Sequence, residues 1–378
     1  VEVTFLDEHN NDNAYAGNVV IPKSVNYNGV AYKVVAIGDR AFTSLPFYHT
    51  YGLTCSVLSM LIGKAHLYIN GNLKTVMRDI HLANPHTMLT VPLMLETIYA
   101  KMWQTAEEAG KAKGLRKLLN LKKNLYALGF RAPGKTLDAL REKCFGTIKL
   151  IICGGAHMNS AIMQEFGYMG VTVVQGYGIT ECSPLISVSP YFAQRRGSVG
   201  PAVPCCQARI ADGAMGERGF VEGEIQVKGD AVMLGYYKNE DATAATFTKD
   251  GWLKTGDMGV VDAKGNVFIK GRCKNMILTG NGQNIYPEEI EDKINNLPYV
   301  MESLVVGRKN AIVALVVADY EAGKKAGLDS QALDKLVNNN VLAMNAELPA
   351  YSKISCTELL SEPFEKTPKQ SIKRYLYS

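Results

Sequence analysis

A strand, a glycine turn, a helix and a second strand follow one another between residues 148 and 174, and this order constrains the fold more than any other feature of the chain. An apolar run at residues 148–153 enters the turn, and Asn159 or Ser160 caps the helix that follows. The valine-rich residues 171–174 form the next strand. Strands joined through a helix pair in parallel, so the pattern predicts an α/β fold with a parallel sheet.

The second strand leads into the run Gln-Gly-Tyr-Gly-Ile-Thr-Glu at residues 175–181. Its glycines permit positive φ or close approach by a ligand, Thr180 can donate a hydrogen bond to a phosphate oxygen, and Glu181 can hold the accompanying divalent cation. We predict that the strand ends in a glycine-flanked turn that binds a nucleotide phosphate. An ordinary strand-to-turn junction is the alternative.

Three further motifs follow in a fixed order. They are Gly-Trp-Leu-Lys-Thr-Gly-Asp at residues 251–257, Gly-Arg-Cys-Lys-Asn-Met-Ile at 271–277, and Gly-Gln-Asn-Ile-Tyr-Pro-Glu-Glu-Ile-Glu at 282–291. With these motifs the chain resembles the adenylate-forming enzymes, which comprise acyl-CoA synthetases, luciferases and peptide-synthetase adenylation domains. Within that superfamily it looks most similar to bacterial long-chain fatty-acid–CoA ligases. The resemblance extends from about residue 45 to the C-terminus.

The resemblance implies two domains of different architecture. Residues 45–271 would be the remainder of the AMP-binding adenylation domain, a parallel sheet with helices plus a small β-subdomain. Residues 272–378 would be a small, mobile α+β C-terminal domain. In that domain the residue pattern predicts helices at 287–295 and 332–344 and strands at 302–306 and 311–318.

The first 44 residues differ in character from the rest of the chain. Short β-like runs alternate with asparagine-rich and glycine-containing turns, and residues 34–42 resemble one unit of a surface-type leucine-rich repeat. A single repeat unit cannot bury its own apolar face. We therefore interpret residues 1–44 as a β-rich, repeat-like cap on the enzyme-like remainder. A surface adhesion protein is the alternative that the repeat leaves open.

The resemblance implies ATP, Mg²⁺ and CoA as cofactors and gives roles to the matching residues. Glu181 would ligate Mg²⁺, and Thr180 would bond a phosphate oxygen. Asp257 would accept hydrogen bonds from both ribose hydroxyls and Arg272 would add a donor, whereas a β-turn aspartate is the alternative for Asp257. The other cofactor-binding positions are Gly178 and the adenine neighbours Gly154, Gly155, Ala156 and Tyr177.

Three more positions match family residues outside the nucleotide site. Lys274 matches the hinge about which the C-terminal domain rotates. Gly282 lies in a loop that would line the pantetheine channel, for which a plain flexible turn is the alternative. His49, in an aromatic motif, matches the acyl-pocket position, although a histidine beside aromatics also fits a packing role.

Two departures from the family pattern bear on activity. No Gly/Ser/Thr-rich phosphate loop lies within residues 1–44 and the chain opens on valine, so we expect a truncated enzyme that lacks the N-terminal half and turns over ATP feebly.

The second departure is at Ser371, which stands where the family has its catalytic lysine. Lys369 and Lys373 are the candidates to replace it, because residues two apart share one face of a strand. A basic tail without catalytic function is the alternative.

Composition narrows the range of partners. With 47% hydrophobic and 20% charged residues the chain is an ordinary globular protein, and no apolar run approaches the roughly 18 residues of a membrane helix. Eight cysteines without a CxxC pair favour reduced thiols in the cytoplasm. Twelve Lys or Arg against four Asp or Glu between residues 101 and 149 indicate either a solvated helical face or attraction to an anionic membrane surface or CoA phosphates. No nucleic-acid partner is expected.

Two functions follow from these observations. The first is a fatty-acid–CoA ligase, which activates a fatty acid or other carboxylate with ATP as acyl-adenylate and transfers it to CoA. The second is a non-catalytic module that binds a nucleotide or acyl-CoA, which the missing phosphate loop favours. ATP binding without pyrophosphate release would leave only the module.

Overall fold

The structure is a computed structural model that describes most of the chain. The described residues are 3–6, 24–27, 30–33, 40–130, 134–156, 158–190, 194–211, 214–215, 220–278, 283–308, 311–367 and 372–377. The α-helices are α1 (Ser59–Ile62), α2 (Val76–Ala83), α3 (Pro92–Glu108), α4 (Ala112–Ala127), α5 (Lys135–Phe145), α6 (Ser160–Tyr168), α7 (Glu240–Thr246), α8 (Pro287–Ile294), α9 (Tyr320–Lys325) and α10 (Ser330–Ala343). Among the described helices, none combines the length and apolarity that crossing a membrane requires.

The strands are short and numerous. They are β1 (Val3–Leu6), β2 (Ser24–Tyr27), β3 (Val30–Lys33), β4 (Arg40–Thr43), β5 (His66–Asn70), β6 (Thr87–Thr90), β7 (Leu150–Cys153), β8 (Thr172–Gly178), β9 (Leu185–Val188), β10 (Gly200–Pro201), β11 (Cys206–Ile210), β12 (Ala214–Met215), β13 (Val221–Gly229), β14 (Leu253–Val261), β15 (Asn266–Arg272), β16 (Ile277–Leu278), β17 (Asn284–Ile285), β18 (Val300–Arg308), β19 (Ala311–Ala318) and β20 (Ile354–Leu360). A π-helix covers Tyr51–Leu58, and short 3₁₀ turns cover Leu73–Thr75, Thr180–Cys182, Cys273–Asn275, Met344–Glu347, Ala350–Ser352 and Arg374–Leu376.

The chain divides into two compact units. The first unit comprises Val1–Arg209, Gln226–Thr255 and Val261–Phe268, and the second comprises Ile210–Ile225, Gly256–Val260 and Ile269–Ser378. The second unit therefore contains two segments that the sequence pattern assigns to the adenylation domain. The domain boundaries after residues 44 and 271 stay predictions.

A seven-stranded sheet forms the centre of the first unit. Its strand order is β1-β5-β4-β6-β7-β8-β9. Neighbouring strands from β1 to β8 run parallel, and only β9 runs antiparallel to its neighbour β8. The predicted α/β fold with a parallel sheet is confirmed.

Aromatic side chains fill the space between this sheet and its helices. Phe42 of β4, Phe145 of α5 and Phe166 of α6 are fully buried in one apolar cluster. The rings of Phe145 and Phe166 meet edge to face with centroids 4.9 Å apart. Burying a side chain of this size contributes roughly 1.5–3 kcal/mol, so these contacts hold the sheet and helices in register.

The N-terminal part of the chain contributes strands to the sheet. β4 lies between β5 and β6, although the sequence pattern places it in the cap. Ala41 and Phe42, the Ala-Phe pair that suggested a repeat unit, are 1% and 0% exposed in the sheet core. β1 pairs in parallel with β5, and β2 pairs antiparallel with β3. The leucine-rich-repeat interpretation is therefore not supported.

Short strands also build the second part of the predicted large domain. One sheet has the order β10-β15-β14-β13-β11, and β12 pairs with β13 outside this path. β16 and β17 form a separate antiparallel pair that lies beyond residue 271, in the predicted C-terminal domain. The glycine-containing strands of the sheet from β10 to β15 agree with the β-subdomain that the sequence predicts.

The C-terminal residues of the second unit form an α+β arrangement. β18 and β19 are antiparallel, and β20 adds in parallel to β19. Ile290 and Ile294 of α8 and Val337 of α10 are buried in one cluster with residues of β18 and β19. The predicted α+β domain is confirmed, and its predicted helices and strands correspond to α8, α10, β18 and β19.

Candidate functional site

Two predicted nucleotide-binding segments of the first unit lie at one edge of its sheet. β7 ends at Cys153 and continues into Gly154, while β8 ends at Gly178 and Thr180 follows after one residue. The two strands are neighbours and parallel, so their carboxyl ends lie at the same edge. Open α/β sheets bind ligands beyond the carboxyl ends of their strands, which makes this edge the candidate site.

The turn after β7 is shaped by two glycines. A Cβ on Gly154 would lie 3.3 Å from Cζ of Tyr51 and 3.4 Å from the backbone oxygen of Gly176. Gly155 has φ of +87°, a conformation that favours glycine. Gly155 and Ala156 are exposed, so the backbone here is open to a flat ligand such as adenine.

Tyr51 belongs to the aromatic motif around His49 and hydrogen-bonds to the backbone at this edge of the sheet. Its hydroxyl donates to the backbone oxygens of Ile152 (3.0 Å) and Thr90 (3.3 Å). Burial, and to a smaller degree the neighbouring thiol of Cys153, raises the pKa of Tyr51 well above its usual value, so the hydroxyl stays a donor. Nδ1 of His49 accepts from the backbone N–H of Tyr51 at 3.2 Å. The acyl-pocket role of His49 stays a prediction.

The segment from Tyr177 to Gly178 is strand and not turn. Tyr177, 7% exposed, is opposite Ser187 of β9, and the register shifts between Tyr177 and Gly178. A Cβ on Gly178 would lie 1.9 Å from the backbone oxygen of Pro184, so only glycine fits. The predicted glycine-flanked turn is wrong, because pairing with β9 extends β8 beyond Val174.

Thr180 and Glu181 open the short turn after β8. Thr180 is exposed and Glu181 is half-buried. Oη of Tyr236 donates to Oε1 of Glu181 at 2.9 Å, and the N–H of Met233 donates to the backbone oxygen of Glu181 at 2.7 Å. Burial and the hydrogen bond to Glu181 raise the pKa of Tyr236, so it remains a donor at neutral pH.

The sequence pattern did not single out Tyr236. Its backbone N–H donates to Oγ1 of Thr243 at 2.9 Å, and the side chain of Asn239 caps α7 by accepting from the N–H of Ala242 at 3.1 Å. These bonds fix the loop that carries Tyr236. The available signal was the Gly-Tyr-Tyr run at residues 235–237, which stands between a strand and a helix cap.

The donor set at this edge fits a Mg²⁺ ion that binds together with a nucleotide. Within the described ranges, no group of three or more His, Cys, Asp or Glu side chains could hold a metal ion. Mg²⁺ is commonly held by one or two carboxylates together with waters and substrate phosphates. Glu181 beside the hydroxyl of Thr180 meets that requirement.

The second unit contains the predicted ribose-binding pair. Asp257 lies inside strand β14, so the β-turn alternative is wrong. Its side chain is 9% exposed, and Oδ1 lies 2.8 Å from Nη1 of Arg272, whose side chain is 55% exposed. A carboxylate has lone pairs for hydroxyl donors as well as for a guanidinium, so the pair is compatible with a ribose diol.

Glu224 supports the backbone in front of Asp257. The N–H of Gly256 donates to Oε1 of Glu224 at 2.9 Å, and Gly256 has φ of +71°. This bond fixes a left-handed residue immediately before Asp257. The sequence pattern did not identify Glu224, because it stands on a different strand, 32 positions earlier than its partner.

The remaining predicted residues of the second unit are placed only in part. Lys274 is exposed in a 3₁₀ turn, whereas Gly282 and Lys369 lie outside the described residues. Nζ of Lys373 lies 3.0 Å from Oε2 of Glu365, and this hydrogen bond raises the pKa of Lys373.

The residues before and after Lys369 run antiparallel to each other. Lys366 and Ile372 form an isolated antiparallel bridge. The same-face argument for Lys369 and Lys373 assumes one straight strand, and the bridge does not support that assumption. Which lysine has the catalytic role stays a prediction.

Comparison with known proteins decides the family. The AMP-binding enzyme family matches residues 12–237, and the AMP-binding enzyme C-terminal domain matches residues 274–377. The chain belongs to the AMP-binding enzyme family. The second match begins at Lys274, the residue predicted to be the hinge.

Several relatives of the chain are CoA ligases by name. A long-chain-fatty-acid–CoA ligase of Mycobacterium bovis is 31% identical over 299 residues, covering 75% of this chain and 48% of that protein. A 2-succinylbenzoate–CoA ligase of Bacillus pumilus is 41% identical over 168 residues, covering 44% and 34%. The crystal structure of ATP-bound MatB from Rhodopseudomonas palustris superposes with a TM-score of 0.64 at 25% identity, covering 89% of this chain and 59% of that one.

The names of these relatives share a reaction, ligation of an acid to CoA, but differ in the acid. The matched part of the chain spans 48% of the first of these two relatives and 34% of the second. By their names those relatives act on different acids, a long-chain fatty acid and 2-succinylbenzoate. The AMP-binding enzyme family is therefore established for this chain, whereas its reaction and its acid are not.

Proposed function

We propose that this chain functions as an acid–thiol ligase that joins a fatty acid, or a related carboxylate, to CoA with ATP. One observation carries the proposal for the site. The Gly154 turn and the Thr180–Glu181 pair follow neighbouring parallel strands and share one sheet edge. A glycine backbone for a base and a hydroxyl–carboxylate pair for a phosphate are the groups that nucleotide binding requires.

The first step would form a bond between a carboxylate oxygen and the α-phosphorus of ATP, with pyrophosphate as leaving group. Both reactants are anions, so donors and cations must offset their charge. In this proposal Thr180 donates to a phosphate oxygen, and Glu181, oriented by Tyr236, holds Mg²⁺. Mg²⁺, when bound, supplies positive charge at the phosphates. Lys369 or Lys373 would supply the remaining cation at the reacting groups.

The second step would transfer the acyl group to the CoA thiol and release AMP. Asp257 and Arg272 would hold the ribose throughout both steps. Lys274 would be the hinge between the two conformations that these steps need, and Gly282 would line the pantetheine channel. His49 would lie at the acyl pocket. The adenine would contact Gly154, Gly155, Ala156 and Tyr177.

Nucleotide binding tests the proposed site directly. Isothermal titration of the 378-residue chain with ATP and Mg²⁺ should show binding, and Asp257→Ala should weaken it. The loss should be roughly 2–4 kcal/mol, or about 30- to 1,000-fold, because ribose bonds at a nearly buried carboxylate disappear. Asp241→Ala, at an exposed position of α7, is the matched control and should bind as the unaltered chain does. Equal affinity for both variants would contradict the ribose assignment.

Turnover tests the proposed reaction and the acid. Pyrophosphate release should be slow, as expected for a truncated enzyme, and should depend on both ATP and an acid. Fatty acids of increasing length compared with 2-succinylbenzoate should reveal the preferred substrate. Glu181→Gln should reduce the rate at low Mg²⁺, whereas Glu240→Gln, at an exposed position of α7, should not. ATP binding without pyrophosphate release for any acid would contradict the ligase proposal for this chain.

A further inference from the structure

A cavity of about 680 Å³ opens in the first unit at the edge of the sheet where β6 and β7 begin. It lies at the C-terminal ends of α2 and α5, opposite the edge at which Gly154 and Thr180 follow their strands. Its volume is within the range of about 300–1,000 Å³ that small-molecule sites occupy. We call this cavity the α2–α5 pocket and define it by its polar side chains, which are those of His81, Asn84, His86, Arg141, Glu142 and Lys149.

His81 joins the two helices at the pocket. Its Nε2 lies 3.1 Å from the backbone oxygen of Lys143, and because that oxygen only accepts, Nε2 carries the proton of this bond. In the same turn the N–H of Ile148 donates to the backbone oxygen of Phe145 at 3.0 Å. Both bonds use carbonyl groups at the end of α5, so they reduce the partial negative charge that a helix end presents to an anion.

Gly146 leaves space beside the other nitrogen of His81. This glycine follows α5 with φ of +54°, and a Cβ there would lie 3.5 Å from Nδ1 of His81. The bond to Lys143 does not use Nδ1. A protonated imidazole donates from both nitrogens, so His81 can keep its bond to Lys143 and donate to an anion at the same time.

Arg141 is already paired with carboxylates. Its Nη1 lies 2.9 Å from Oδ1 of Asp138, and its Nη2 lies 3.3 Å from Oε1 of Glu142. The two-pronged guanidinium contact that suits a carboxylate ligand is therefore occupied. The side chain of Glu142 is 67% exposed, so its carboxylate retains lone pairs for the hydroxyl groups of a ligand.

Lys149 and Arg40 supply the positive charge of the pocket. The N–H of Lys149 donates to the backbone oxygen of His86 at 3.0 Å, and Nη2 of Arg40 lies 3.2 Å from Nε2 of His86. The ammonium group of Lys149 is exposed and has no hydrogen-bond or ion-pair partner among the residues that the structure describes. Arg141 and its two carboxylates are together negative by a single charge, so these two cations leave the pocket positive even with neutral histidines.

We propose that the α2–α5 pocket binds a phosphate monoester of a small polar molecule. A phosphate group presents several oxygens to separate point donors, and the ammonium of Lys149 and a protonated His81 are donors of that kind. Glu142 and Asn84 would bond the hydroxyl groups of the ligand. The pocket shares no residue with the candidate nucleotide site, so this inference does not depend on the proposed function.

Histidine NMR tests the proposal on the 378-residue chain. The chain has six histidines, and their rings can be labelled with ¹³C. The signals of His81 and His86 should move saturably as glucose 6-phosphate is added, whereas the signal of His49, near the nucleotide edge, should stay in place. Replacing each of these three histidines by glutamine in turn assigns its signal.

Variants and related probes separate the parts of the recognition. Lys149→Gln should raise the dissociation constant for glucose 6-phosphate at least about tenfold, because a charge-assisted hydrogen bond to phosphate is lost. Lys123→Gln, at an exposed position of α4, removes the same charge elsewhere and is the matched control. Glucose should leave the signals unmoved, and inorganic phosphate should bind at least about tenfold more weakly than glucose 6-phosphate, because it makes no hydroxyl bonds.

Several outcomes would overturn the proposal. These are signals of His81 and His86 that do not move at about 10 mM glucose 6-phosphate, an equal movement of the His49 signal, an equal loss in the two lysine variants, and equal affinity for inorganic phosphate. Circular dichroism must show Lys149→Gln folded. If it is not, Glu142→Gln provides the second measure, since it should reduce the preference for glucose 6-phosphate over inorganic phosphate, and an unchanged preference would contradict the pocket assignment.

Discussion

Tyr236 donates a hydrogen bond to Glu181, with 2.9 Å between Oη and Oε1, across 55 positions of sequence. The carboxylate therefore has a fixed orientation at the carboxyl edge of the sheet. Glu181 is the residue proposed to hold Mg²⁺, and under that proposal Tyr236 would affect the metal only through Glu181, as a positioning residue.

Tyr236→Phe should raise the Mg²⁺ concentration needed for ATP binding. The change keeps the ring and removes one hydrogen bond to a carboxylate, which is worth about 1 kcal/mol at a partly exposed site, or about fivefold in affinity. Isothermal titration with ATP at a series of Mg²⁺ concentrations measures the shift. Tyr237→Phe, whose side chain is 88% exposed, is the control, and an equal shift in both variants would contradict the positioning role.

Gly178→Ala should destabilise the first unit. The new Cβ would lie 1.9 Å from the backbone oxygen of Pro184, and that backbone cannot move aside as a flexible side chain would. We expect a loss of about 3 kcal/mol in the free energy of unfolding, measured by urea denaturation. Gly167→Ala in α6 meets nothing within 4 Å and should instead stabilise by about 0.5–1 kcal/mol. The same sign of change in both variants would be inconsistent with the close approach at Gly178.

The cysteines beside the candidate site should resist alkylation at pH 8. Burial raises the pKa of Cys153 and of Cys182 to about 12, so only about one molecule in ten thousand has the reactive thiolate at that pH. Cys205 and Cys356 are exposed. Iodoacetamide followed by mass spectrometry should detect label only on Cys205 and Cys356 of these four cysteines in the folded chain. After unfolding it should also detect label on Cys153 and Cys182. Labelling of folded Cys182 as fast as Cys356 would refute this expectation.

Asn159→Ala should weaken the start of α6. Its side chain accepts a hydrogen bond from the N–H of Ala161 at 2.8 Å, and an N-cap of this kind contributes about 1 kcal/mol. The midpoint of urea unfolding should fall accordingly. Asn120→Ala, at an exposed position inside α4, should be neutral or slightly stabilising, because alanine has the higher helix propensity. A midpoint unchanged by Asn159→Ala would mean that the cap contributes little.

Helix starts could be predicted from sequence because local chemistry decides them. Pro92 and Pro287 stand at the first positions of α3 and α8, where proline's fixed φ suits a helix and its missing N–H costs nothing. Asn159 caps α6 as expected. The βαβ order likewise predicts a parallel sheet, since the connection through a helix leaves the second strand in the same direction as the first.

Features that depend on distant partners could not be predicted in the same way. β8 extends to Gly178 because β9 pairs with it, and nothing local distinguishes that extension from a turn. β4 belongs to the sheet because β5 and β6 flank it. The bonds from Tyr236 to Glu181 and from Gly256 to Glu224 join residues 55 and 32 positions apart. Motif resemblance identifies Glu181 but not the residue that orients it.

The position of β4 has a practical consequence for the choice of fragments of this chain to express. β4 is the strand that hydrogen-bonds β5 on one side and β6 on the other. A fragment that starts at residue 45, where the family motifs begin, would lack both β1 and β4, leave β5 without a neighbouring strand and expose the backbone N–H and C=O groups along one edge of β6. Expression boundaries for the α/β part therefore belong upstream of β1, whatever the motif positions suggest.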